Sequence, residues 1–107
     1  GGSMSYVKDV LLDEFNRLKA LAKKYQSEIS ALPHGSISIK KRNNKNYLYL
    51  AYREKDKVKF KYIGSMSADE SKDIIKKIKS RQQYEGKLKK VKADIREIEK
   101  VLNGKKI

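Results

Sequence analysis

Lysine, arginine and tyrosine are interleaved through the middle of this chain in a way that could bind phosphate and stack on bases. Lys40, Arg42, Lys45, Arg53, Lys57, Lys59 and Lys61 are cations that could neutralise phosphates. Tyr47 and Tyr49, two residues apart, could stack on splayed bases, the usual solution for single strands and RNA. Arg53 and the cluster Asn43, Asn44 and Asn46 carry groups that read base edges, arginine toward guanine and asparagine toward adenine. Ser38 adds a hydroxyl, and Lys72, Lys76 and Lys79 continue the positive run downstream.

Catalysis is not indicated. The single histidine, His34, follows Pro33 in a turn and has no partner at a metal-ligand or triad spacing. There is no phosphate-binding glycine loop and no helical histidine pair. The acids sit at helix caps or among lysines. A tyrosine nucleophile would need an Arg/His-lined pocket that so small a domain is not expected to build. The expectation is therefore a protein that is not an enzyme, with no cofactor and no metal.

Charge says where binding would happen. The net charge of +14 is unevenly spread. Residues 35–64 hold nine Lys/Arg against two Asp/Glu, and residues 72–92 again hold nine against two, whereas residues 1–34 hold five against four. Localised positive charge is the footprint of a polyanion-binding surface. A lysine-rich face also discourages strand-edge aggregation, but here the cations are paired with tyrosines.

The elements that must position these residues can be read from periodicity. Residues 5–32 form a helix whose apolar positions, Val7, Leu11, Phe15, Leu18, Ala22, Tyr25, Ile29 and Leu32, step by three and four like a heptad seam. Pro33 ends it. Residues 35–64 alternate as a sheet of three strands, Ser36–Lys41, Tyr47–Arg53 and Val58–Ile63. One face is expected to collect Ile37, Ile39, Leu48, Leu50, Tyr52, Val58, Phe60 and Tyr62, and the other Ser36, Ser38, Lys40, Tyr47, Tyr49, Arg53, Lys59 and Lys61. This division needs Leu50 opposite Phe60 and Leu48 opposite Tyr62, hence an odd-length loop with a bulge at Glu54–Lys57; an even loop would mix the faces. Ser67 and Glu70 read as a capping box opening a helix over 67–103. Its seam passes through Ile74, Ile78, Arg81, Tyr84 or Glu85, Leu88, Val91, Ile95, Ile98 and Leu102 and weakens at Arg81–Gly86, where a kink or a change of packing partner is expected.

The expected fold is thus α+β: two long antiparallel helices in a coiled-coil-like hairpin, with a three-stranded antiparallel β-sheet inserted between them. Gly1-Gly2-Ser3 reads as a cloning remnant and residues 4–107 as a single domain. The absence of an apolar run near 18 residues argues against a membrane partner, and the lack of cysteine fits the cytoplasm.

The segments Gly35–Lys40, Tyr47–Arg53 and Lys57–Gly64 resemble a group of small bacterial, archaeal and phage proteins with a helix, a Tyr-rich three-stranded meander and a basic helix. Their layout is also similar to the amino-terminal arm-binding domain of phage-type tyrosine recombinases. That second resemblance implies a sheet docked in the DNA major groove, with Ser38, Lys40, Tyr47, Tyr49, Arg53, Lys59 and Lys61 facing DNA. The long helices and the lack of a recombinase catalytic domain depart from it. The function expected is nucleic-acid binding through the outer sheet face and the adjacent basic helix, DNA favoured over RNA. The residues do not choose between duplex and single strand, though a rim of flexible lysines favours duplex. The alternative is a protein-interaction module of a phage or mobile element, such as an antitoxin or an inhibitor of a host defence ribonucleoprotein. A homodimer through the helical seams is open.

Overall fold

The computed structural model describes residues 2–104. Helix α1 spans Gly2–Ala31, strands β1, β2 and β3 span Ser36–Arg42, Lys45–Glu54 and Lys57–Ser65, and helix α2 spans Asp69–Leu102. Two long helices flanking a three-stranded antiparallel sheet, in the order β1-β2-β3, make an α+β fold. α1 begins at Gly2, inside the segment read as a remnant, and stops at Ala31, as a helix must ahead of Pro33. The chain divides into two compact units: residues up to Ile29 with those from Tyr84 onward, and residues Ser30–Gln83.

The first unit is helical. Its least exposed positions follow the seams: Leu18 and Val91 are buried, while Leu11, Phe15, Tyr25, Leu88, Ile95 and Ile98 are half-buried. The Tyr25 and Tyr84 rings meet with centroids 5.9 Å apart. Near the start of α1 the pattern outlasts its burial, for Val7, its first position, is exposed.

The second unit holds the sheet. Leu48 and Leu50 on one face, with Ile78 of α2, are its buried apolar side chains. Gly64 lies opposite Leu48, and a Cβ built on it would stand 3.4 Å from Ser71 Oγ and 3.9 Å from Ala68 Cβ. The opening of α2 therefore rests on the Leu48 face, and two small residues, Gly64 and the fully buried Ser71, permit the approach. Gly35 enters β1 with φ 114°, where any Cβ would lie 3.0 Å from the Ala51 carbonyl oxygen, so the position requires glycine.

Arg81 ties the turn to the helix. Its Nη1 donates to the Pro33 carbonyl at 3.0 Å and its Nη2 to the Gly35 carbonyl at 2.9 Å. The apparent weak point of the α2 seam is thus an inward-facing arginine that satisfies two loop carbonyls, and α2 runs unbroken past it. The capping box also differs from expectation. The Ser67 hydroxyl lies 3.0 Å from the Ser65 hydroxyl, and the Ser67 amide donates to Ser65 Oγ at 3.4 Å. The nearer serine claims Ser67 through a local turn, and the helix opens at Asp69.

Candidate nucleic-acid interface

Two tight turns decide which side chains share a face. Asn43 and Asn44, with φ of 51° and 64°, close the β1–β2 hairpin as a two-residue turn between the paired residues Arg42 and Lys45. Asparagine tolerates this left-handed backbone, so the sequence suits the turn. Register then places Ser36, Ser38, Lys40 and Arg42 beside Ala51, Tyr49, Tyr47 and Lys45.

The second hairpin overturns the expected faces. Glu54 pairs with Lys57, so the loop is Lys55-Asp56, an even length, with Lys55 at φ 57°. Arg53 therefore lies opposite Val58, Ala51 opposite Phe60 and Tyr49 opposite Tyr62. The expected pairs Leu50–Phe60 and Leu48–Tyr62 do not form; Leu50 faces Lys61 and Leu48 faces Gly64. Strand side chains alternate, so a shift of one residue exchanges the faces of the whole strand. Lys57, Lys59 and Lys61 pass to the side of Leu48 and Leu50, away from Tyr49, and Val58, Phe60 and Tyr62 take their place. A bulge is present, but between Tyr49 and Leu48, where β3 carries Ile63 as an extra residue. It returns Gly64 to the side on which α2 rests.

The resulting open face is an aromatic cluster rimmed by cations. Tyr62 is its hub, 5.3 Å from the Tyr49 ring at 61° and 6.3 Å from the Tyr47 ring at 47°. Lys40 Nζ stands 4.6 Å from the Tyr49 centroid and 4.3 Å from that of Phe60, so its ammonium is held over two rings. These contacts explain why the even loop wins, since cross-strand aromatic and cation–π pairs stabilise this register. Phe60 and Tyr62 remain 50% and 54% exposed, a large apolar area to leave in water. Arg42, Lys45 and Arg53 occupy the same side in register and are exposed.

Of the residues named from sequence, the open face brings together Ser38, Lys40, Arg42, Lys45, Tyr47, Tyr49 and Arg53. Asn44 lies in the turn beside them. Lys57, Lys59 and Lys61 lie on the opposite face, where Lys59 reaches Glu54 at 3.5 Å. Lys72, Lys76 and Lys79 are exposed on α2, which begins on that opposite face. Sequence reasoning placed Phe60 and Tyr62 on the face of Leu48 and Leu50 and missed them as members of the open face. The signal that could have found them is the Lys55-Asp56 pair, since two-residue hairpin loops are the commonest. Among the described residues, no group of three His, Cys, Asp or Glu could hold a metal ion, and no helix is long and apolar enough to cross a membrane.

A family model described as a domain of unknown function, DUF6788, matches residues 11–73. That is more than half of the chain, which therefore belongs to this family. The match runs from α1 through the whole sheet to the first turn of α2. No curated protein and no solved structure matches the chain.

Proposed function

We propose that this protein binds nucleic acid on the open face of its sheet, and that an unpaired strand is the form it takes. The observation that carries this is the coincidence, on one exposed face, of the Tyr47/Tyr49/Phe60/Tyr62 cluster with Lys40, Arg42, Lys45 and Arg53. Rings offer every base a stacking surface, and the cations around them follow the phosphates. Duplex docking drew on a rim of flexible lysines, Lys59 and Lys61 among them, around the tyrosine face; with these two on the other side, stacking is the better use of what remains. A net charge of +14 supports an anionic partner over a neutral one. The reading sets the protein in the cytoplasm.

The test is a titration of labelled single-stranded DNA, single-stranded RNA and duplex DNA at two salt concentrations. Single strands should bind more tightly than duplex, and affinity should fall linearly in log salt. Equal or tighter duplex binding would return the groove-docking mode. Absence of binding to all three would leave the exposed rings to a protein partner and refute the proposal.

A further inference from the structure

At the Asn43-Asn44 end of the open face there is a pocket of about 340 Å³ lined by Arg42, Asn43, Tyr47, Tyr49 and Tyr62. We infer that this pocket takes one unpaired adenine, stacked on an exposed tyrosine ring and read by the Asn43 amide, an assignment that rests on the proposed function above. Three of the five lining residues are tyrosines, and among the described residues Lys40 stands over Tyr49 and Phe60 but not over Tyr47 or Tyr62. The rings of Tyr47 and Tyr62 are thus the ones left for a flat guest.

Chemistry narrows the guest further. Three tyrosines could cage a quaternary ammonium, but Arg42 forms part of the wall and the chain carries +14, so a cation is opposed. A flat ring joined to a negative charge satisfies both halves of the lining: rings on the base, Arg42 on the phosphate beside it. Asn43 then discriminates. Its amide pairs one donor with one acceptor, matching adenine N7 and N6–H, whereas guanine presents two acceptors on that edge. The tight turn holds Asn43 at the pocket, because its own backbone is fixed at φ 51°.

The experiment compares oligothymidylate with the same strand carrying a single central adenine, each titrated against the full chain. The adenine strand should bind about fivefold or more tightly, the lower end of what a paired amide contact provides. Asn43→Gly keeps the left-handed turn and removes the amide; the two strands should then bind alike. Lys55→Gly makes the same change at a left-handed position of the other hairpin, outside the pocket, and should leave the preference intact. Equal binding of the two strands by the unaltered protein, or a preference that survives Asn43→Gly or disappears equally with Lys55→Gly, overturns the pocket while leaving the wider reading standing. A central guanine preferred over adenine also overturns it. Failure to bind either strand refutes the proposed function itself.

Discussion

Removing charge from one face of the sheet or from the other offers a direct test of which face binds. Two double variants remove the same net charge: Lys45→Gln with Arg53→Gln on the tyrosine side, and Lys59→Gln with Lys61→Gln on the side of Leu48 and Leu50. Neither set should disturb folding much. All four side chains are exposed, and the one ion pair lost, Lys59 with Glu54 at 3.5 Å, joins two half-exposed groups whose contribution is small. On a single strand each engaged cation contributes about 0.7 to the slope of log affinity against log salt. With Lys40, Arg42, Lys45 and Arg53 engaged, the parent slope should be about 3, and the first variant should lower it by about 1.4. The second variant should leave the slope unchanged, because its lysines point away from the strand. Fluorescence anisotropy over a salt series reads both. A loss in the Lys59/Lys61 variant as large as in the Lys45/Arg53 variant would mean that the strand does not lie on the tyrosine face, and the proposal would fall with it.

Replacing Tyr62, the hub of the cluster, with alanine should weaken single-strand binding by about 2 kcal/mol, roughly thirtyfold, while leaving the salt slope intact; a change confined to the slope would contradict a stacking role. Arg81→Met should lower the unfolding free energy by about 3 kcal/mol in urea titration, since two loop carbonyls lose a charged donor, and a cost below about 0.5 kcal/mol would show that water replaces it freely. Lys55→Gly should raise stability by about 1 kcal/mol by relieving a left-handed lysine, with an unchanged midpoint as the contrary result. Hydrogen bonds from Arg17 hold the Glu14 carboxyl below its ordinary range. A depressed folded pKa stabilises above the unfolded carboxylate range and is lost as pH falls through the folded value. Glu14 should therefore titrate by NMR below the ordinary carboxylate range, and Arg17→Gln should raise it back toward that range.

Helix seams, strands and turns were readable because each leaves a local mark: steps of three and four, alternation, a proline at Pro33 and asparagines at Asn43-Asn44. Arg81 was not, because an arginine inside an apolar stripe looks like a gap until the carbonyls of Pro33 and Gly35 come within its reach from far along the chain. The Ser67–Glu70 box fits the capping pattern, yet a hydroxyl two residues upstream competes for the same serine.

The face assignment failed for a different reason, and it bears on function more than any boundary does. Alternation in Val58–Ile63 was correctly seen, but alternation alone leaves the phase of a strand free. Only the loop sets it, and the 54–57 loop could be cut at an odd or an even length. Pairing apolar with apolar, Leu50 on Phe60, favoured the odd cut. The fold takes the even cut because Tyr62 then meets Tyr47 and Tyr49, and Phe60 comes under the Lys40 ammonium. Ile63 is bulged out, so that Gly64 can still admit α2 on the other side. The strand thus serves two surfaces with opposite phases, aromatic at its middle and helix-bearing at its end. A cationic plane would have bound any polyanion; a ring cluster with cations at its edge asks for something flat as well as charged.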